Sequence, residues 1–414
     1  MVFLGFLSGI ITARYLGTEG RGIIALYQSF FIMLLPLFEL GIRQSIAYFI
    51  GQKKYRENVL IVNMQWVYIV TVSLNVLTLI FVYHMTGMFV DNELVAVFFL
   101  LSAVVMLLNS YCQGVCVGRK QMDKVNYTLF LALSIYIFFL ILFVIIFKQG
   151  VLGAAISWFI GQFVALIYIS RVIGLSLLKK LPRKDIIVSL VKKGSIFAIA
   201  LFVIELNYRI DVIMLKAFKG ANSVGIYSVG VTLCEVLKNI PLSLGLVLFS
   251  HAANWSSDVA ADKAKFVLLL SRGIFFVMIV LGLIFSLAMS YLLPIIYGTE
   301  FKGSVMVVNA LLPGIVLLSV FLILNMFVAG QGKPHIALIV FLPALLFNII
   351  LNILLIPVFD YVGAAVSSTF SYAFAAMLYA LIFKKIYKTN LIDIFVFKVS
   401  DFKLLLSKVK KNEV

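Results

Sequence analysis

A chain of 414 residues that is 63% hydrophobic and only 12% charged, with a mean hydropathy of +1.14, falls outside the soluble globular class, because too much of its surface would be apolar. Its net charge of +17 comes from bases concentrated in alternate loops, which accounts for the basic balance without nucleic acid. The solvent for such a chain is lipid, and continuous apolar runs, rather than alternating segments of about ten residues, predict an all-α integral membrane protein.

About twelve runs follow one another, near residues 1–16, 22–50, 59–83, 94–117, 125–147, 151–173, 194–217, 223–250, 266–293, 303–328, 335–356 and 360–385. The first opens directly at Met1 with Val2-Phe3-Leu4-Gly5-Phe6-Leu7 and carries no basic segment, so no cleavable signal peptide is read. It meets Arg14 after about 13 apolar residues, fewer than a span needs, so this helix is stubby or the start of the chain is clipped.

The second run carries Glu39 and Arg43, spaced i, i+4. Lys53, Lys54 and Arg56 follow it, and Arg119, Lys120 and Lys124 follow the fourth run. Cys112 and Cys116 share a helix face in that fourth run, but no His or third thiolate lies near them, so they read as packing residues. A basic stretch, 174–193, separates the sixth and seventh runs. The seventh carries Glu205, Arg209 and Asp211, and the eighth Glu235 and Lys238. Further bases, Lys263, Lys265, Lys333, Lys384, Lys385 and Lys388, again fall in alternate loops, which places both termini in the cytoplasm. The tail, 386–414, sets Leu391, Ile394, Phe395, Val399, Phe402 and Leu406 among lysines and reads as a basic amphipathic helix on the anionic inner leaflet.

The chain also repeats. Gly22, in Gly17-Thr18-Glu19-Gly20-Arg21-Gly22, matches Gly225, in Gly220-Ala221-Asn222-Ser223-Val224-Gly225, 203 residues on. Gly153-Ala154-Ala155-Ile156-Ser157 matches Gly363-Ala364-Ala365-Val366-Ser367 at 210, and Val117-Gly118-Arg119-Lys120 answers Gln331-Gly332-Lys333-Pro334. Pro36 has a near counterpart in Pro241. Six runs separate the copies, so the repeats share one orientation. The organisation predicted is a bundle over 1–173, a cytoplasmic linker over 174–193, a second bundle over 194–385 and the tail, with the two pseudo-symmetric six-helix bundles around a central cavity.

Charge inside apolar runs is costly and marks function by default. The alternative is that acid and base at i, i+3 or i, i+4 merely neutralise each other and hold helices together. The clusters fall on the first two helices of each bundle, where Arg14, Arg21, Lys216 and Lys219 add positive charge, which favours a charged cavity.

Ile11-Thr12-Ala13-Arg14-Tyr15-Leu16-Gly17-Thr18-Glu19-Gly20-Arg21-Gly22 resembles the opening of the polysaccharide-biosynthesis, Wzx-type oligosaccharide flippases. Arg209-Ile210-Asp211 with Val224-Gly225-Ile226-Tyr227-Ser228 resembles the start of their second bundle, and Gly330-Gln331-Gly332-Lys333-Pro334 with Val362-Gly363-Ala364-Ala365 resembles later stretches. The family lies in the multidrug/oligosaccharidyl-lipid/polysaccharide exporter superfamily. The resemblance implies a plasma-membrane flippase carrying undecaprenyl-pyrophosphate-linked oligosaccharide from the inner to the outer leaflet, for O-antigen, capsule or teichoic-type polymer, alongside polymerase machinery. Arg14, Arg43, Arg209 and Lys238 then receive the pyrophosphate, since guanidinium groups bind phosphate with paired hydrogen bonds. Glu39, Glu205, Asp211 and Glu235 balance the empty cavity, with a proton or sodium ion taken up by one of them. A lipid II flippase and a cation-coupled multidrug antiporter of the same superfamily are the alternatives; the antiporter calls for excess acid, which the junctions lack. A polytopic glycosyltransferase or polymerase needs catalytic acids outside the membrane, and no Asp-x-Asp pair occurs.

Overall fold

The structure, a computed structural model, describes residues 2–86, 93–175, 181–252, 255 and 257–397. Among these residues there is no strand. The helices are α1 (Val2–Glu39), α2 (Ile42–Gly51), α3 (Glu57–Thr86), α4 (Glu93–Gly118), α5 (Met122–Leu140), α6 (Gly150–Ile173), α7 (Lys184–Lys219), α8 (Ala221–Ala252), α9 (Ser257–Tyr297), α10 (Gly303–Gly330), α11 (His335–Tyr387) and α12 (Ile392–Phe395). Ten of them are long and apolar enough to cross a membrane.

Two of the ten are each a pair of segments. α11 has 53 residues, roughly 80 Å at 1.5 Å per residue, far more than one crossing requires. It leaves helical geometry at Asp360 (φ 55°, ψ −136°), three residues after Pro357. α1 does the same at Gly17 (φ 67°, ψ −171°). Counted by segment these helices give twelve apolar segments, matching the about twelve runs predicted, and the all-α polytopic class holds.

One predicted run is corrected. The stretch 22–50 is not one helix: Leu40 (φ 50°) and Gly41 (φ 64°) are both left-handed, and they separate the end of α1 from α2. Glu39 and Arg43 therefore do not meet as an i, i+4 pair on one helix face.

The chain packs into two compact units, Met1–Val229 with Ile296–Glu300, and Gly230–Ile295 with Phe301–Val414. α7 belongs to the first, where it packs on α1 and α2. Because α7 starts at Lys184, part of the basic stretch 174–193 is helical; residues 176–180 lie outside those described. Of the tail, 398–414 also lie outside them. The preceding segment docks on α9 within the second unit: Phe395 meets Phe275 edge-on at 5.5 Å, Phe397 stacks on Phe276 at 5.3 Å, and Arg272 donates to the Asp393 carbonyl at 3.4 Å. In the first unit Tyr27, Phe31, Phe99 and Trp158 form an aromatic core, with Tyr27 stacked on Phe99 at 4.3 Å.

The repeat is visible atom by atom. Gly220 (φ 90°, ψ −177°) separates α7 from α8 with the backbone geometry that Gly17, 203 residues earlier, imposes in α1. This region is open essentially to glycine alone. The two elbows touch reciprocally within the first unit. A Cβ on Gly22 would lie 1.8 Å from the Ala221 carbonyl oxygen, and one on Gly225 would lie 1.9 Å from the Thr18 carbonyl oxygen. Residues 18 and 221 are themselves 203 apart, so the contact has a local two-fold character. The later repeat is as close: Ser157 donates to the Gly153 carbonyl at 2.6 Å and Ser367 to the Gly363 carbonyl at 2.9 Å, while Gly150 (φ 61°) answers Asp360 (φ 55°).

The middle match shifts by two residues. Backbone bonds Lys120→Val117 and Gln121→Cys116 pair with Gly332→Ala329 and Lys333→Val328. Gly118 thus answers Gly330, not Gly332. The left-handed position is Lys120 in one copy and Gly332 in the other, so aligning like residues misplaces it.

Because atoms crowd both elbows, Gly22→Val and Gly225→Val should each destabilise the detergent-solubilised protein by about 1–3 kcal/mol, read as a lowered midpoint of thermal unfolding. Gly5→Val, where nothing lies within 4 Å, should leave the midpoint unchanged.

Candidate functional site

A bare charge at the centre of a spanning helix costs about 2.5–3.5 kcal/mol, so each intramembrane charge here should have an identifiable answer. All eight residues singled out by sequence are described. Glu235 and Lys238 lie in the second unit and the other six in the first.

Two predicted pairs close on their own helices. Arg209 Nε donates to Glu205 Oε2 at 3.2 Å, and Lys238 Nζ lies 3.5 Å from Glu235 Oε1. The Arg209 and Glu205 side chains are 25% and 31% exposed. Pairs this accessible are worth only about 0.2–1 kcal/mol, so a stronger anion could displace either acid.

Asp211 behaves differently. Two residues along a helix is a turn of about 200°, which carries it away from the Arg209 face. It is fully buried, as is Asn207 one turn earlier. Tyr227 of α8 donates its hydroxyl to Asp211 Oδ2 at 2.8 Å. Asp211 thus links α7 to α8 and stands apart from the Glu205–Arg209 pair.

Arg14 is exposed and donates Nε to the Ile296 carbonyl at 2.6 Å. That carbonyl belongs to the last turn of α9, where a cation meets the negative end of the helix dipole. Glu39 is 4% exposed. Its carboxylate accepts from the Ser110 hydroxyl and the Arg43 backbone N–H, with the half-buried Arg43 guanidinium beside it.

Sequence reasoning counted Arg21 among the junction bases and Arg119 among the loop bases without placing either in the site, and it passed over Asn348 and Asn352. Arg21 is 8% exposed and donates Nη1 to Thr12 Oγ1 at 3.3 Å. Arg119 binds Glu57 through Nε at 2.9 Å and also through Nη2, and donates to the Val172 and Ile173 carbonyls at 3.1 Å, capping α6. In α11 the buried Asn352 donates to Asn348 Oδ1 at 2.7 Å; an i, i+4 asparagine pair in an apolar run was the available signal. Cys112, Cys116 and Cys234 are buried free thiols. Among the described residues no group of three His, Cys, Asp or Glu side chains could hold a metal.

Two cavities stand out. One of about 350 Å³ in the first unit is lined by Tyr27, Phe31, Leu79, Ala96 and Leu100, with His84 and Glu93 as its ionisable groups. Another of about 380 Å³ in the second unit is lined by Phe275, Leu283, Ser286, Asn309 and Pro313. The eight predicted residues line neither.

Comparison with known proteins adds the following. The family model described as polysaccharide biosynthesis protein matches residues 2–249. An uncharacterized membrane protein of Methanocaldococcus jannaschii is 26% identical over 260 residues, 58% of this chain and 49% of that protein, so the match spans about half of that relative's length. A multidrug resistance MATE family transporter of the MOP superfamily, in an inward-facing conformation, shares the fold with a TM-score of 0.76 at 15% identity, over 94% of this chain and 95% of that one. Lipid II flippase MurJ, in an inward closed conformation, follows at 0.69 and 15% identity, over 95% and 87%.

Tyr227→Phe should lower the thermal midpoint, since it removes a donor from a buried carboxylate at about 1–3 kcal/mol. Ser243→Ala, which alters an exposed hydroxyl bonded only to its own helix at Asn239, should not.

Proposed function

The chain belongs to the polysaccharide biosynthesis protein family, and from that premise we propose that it is a flippase translocating undecaprenyl-pyrophosphate-linked oligosaccharide from the inner to the outer leaflet by alternating access. It works as a multi-pass transporter of the plasma membrane with both termini cytoplasmic, supplies surface polysaccharide such as O-antigen, capsule or teichoic-type polymer, and hands its cargo to polymerase machinery. It is a carrier and not an enzyme.

The observation that carries this reading is the state of the intramembrane bases. Arg209 and Lys238 are held by Glu205 and Glu235 at 3.2 and 3.5 Å in partly exposed pairs. An anionic pyrophosphate exchanges for the carboxylate of each pair within its own unit, and charge-assisted bonds to phosphate replace bonds to carboxylate. Arg43, on α2, is a further base of the first unit. Arg14 gives up a neutral carbonyl for a charged oxygen. The acids Glu39, Glu205, Asp211 and Glu235 offset these bases before the substrate arrives, and one of them exchanges a proton or sodium ion. An inside-negative potential adds about 2.3 kcal/mol per charge per 100 mV to outward movement of the anion. The prenyl tail stays in the bilayer throughout.

The test is flipping of a fluorescent polyprenyl-pyrophosphate oligosaccharide by the full chain in proteoliposomes. Arg209→Ala and Arg43→Ala should each slow flipping roughly tenfold or more, the loss of one charge-assisted contact, while the protein still inserts. Glu205→Gln should retain flipping, because it frees Arg209. Full activity in both arginine variants would overturn the cationic site. Transport of lipid II alone, or of cationic dyes alone, would replace the substrate.

A further inference from the structure

The break between α1 and α2 has no counterpart in the repeat. At the position 203 residues after Glu39, Leu242, α8 runs unbroken through Pro241. The first copy instead places two consecutive left-handed residues there, Leu40 (φ 50°) and Gly41 (φ 64°). Leucine adopts that backbone only under constraint. The elbow is pressed on α7: a Cβ on Gly41 would lie 2.0 Å from the Gly194 carbonyl oxygen.

The hydrogen bonds around the elbow explain how it is held. In a continuous helix the Arg43 N–H would donate to the Glu39 carbonyl. Here it donates to the Glu39 side-chain carboxylate, and the Glu39 carbonyl accepts from the Tyr111 hydroxyl at 3.2 Å instead. Tyr111 is fully buried and its hydroxyl also lies 3.1 Å from Thr71 Oγ1. The second carboxylate oxygen, Glu39 Oε1, is buried and has no hydrogen-bond partner among the described residues. A carboxylate 4% exposed with one oxygen unanswered is at its most costly when charged. The groups facing it are the Arg43 guanidinium from α2 and Ser110 and Tyr111 from α4, with Tyr68 from α3 behind Tyr111 and Cys112 beside Tyr68. From α7 the elbow meets the Gly194 backbone, while the adjacent Lys193 places its Nζ 4.2 Å over the Tyr48 ring.

We infer that Glu39 is a proton-binding site whose occupancy sets the elbow. As a carboxylate it holds the Arg43 N–H and the break. On taking a proton from water it loses most of its hold on that N–H, which returns to the Glu39 carbonyl as Tyr111 withdraws, and α1 and α2 close toward one helix. No bond other than O–H forms, and the proton leaves by the reverse step. This deepens the ion-exchange part of the flippase reading and depends on it only for what the proton drives.

The experiment is pulsed electron–electron distance measurement on the full chain in lipid nanodiscs, with spin labels at the exposed Leu37 and Gly51 and the three native cysteines replaced. Lowering the pH should shift the distribution toward the roughly 21 Å of 14 residues of straight helix. Glu39→Gln should show the low-pH distribution at every pH. Ser110→Ala, which removes a hydrogen bond from the charged form, should raise the midpoint by about one pH unit, tenfold tighter proton binding. A distribution insensitive to pH, or a response that survives in Glu39→Gln, overturns the inference. Should Glu39→Gln fail to insert, the midpoint of Ser110→Ala decides: an unmoved midpoint overturns it. None of these readouts needs a transported substrate, so their failure leaves the flippase reading standing, and loss of flipping leaves this site standing.

Discussion

Hydrocarbon gives a peptide group nothing to bond with, so every departure from helix in this chain has to be answered from inside the protein. The answers differ by place. At Gly17 and Gly220 the chain turns where residue type permits, and backbone packs directly on backbone. At the ends of α6 and α9 the terminal carbonyls accept from Arg119 and Arg14. At Leu40 and Gly41 a tyrosine hydroxyl and a carboxylate stand in for one lost helical bond. The fold is a set of long helices whose irregular points are individually provided for.

That constraint also divides the charged residues into kinds. Asp211 ties α7 to α8, and Arg119 ties the end of α4 to α3 and α6. Glu205 with Arg209, and Glu235 with Lys238, pair along their own helices where water reaches them. The first kind is costly to disturb and the second is cheap, which separates architecture from residues able to change partners.

Much of the fold was legible in the sequence. About twelve apolar segments follow from run length, and the repeat follows from short strings that keep their backbone role: Ser157 and Ser367 make the same bond. The repeat was misjudged where geometry and residue identity part company, at Lys120 and Gly332, because a left-handed helix end accepts more than one residue type. The Leu40–Gly41 break was hidden for a related reason. Leucine is a strong helix former, and nothing in a one-dimensional pattern shows that Gly194 and Tyr111 will hold it otherwise. Of the site, the charged residues were readable; their partners were not, since Tyr227, Ser110 and the Ile296 carbonyl come from other helices and ordinary residue types.

The docking of the chain beyond α11 onto α9 has a practical side. Two aromatic contacts and a carbonyl bond fasten residues 393–397 to Arg272, Phe275 and Phe276. Whatever displaces the middle of α9 must drag this strap or peel it off. A fluorophore attached just past Phe397 would therefore act as a remote pointer for that helix, leaving every residue inside the bilayer untouched.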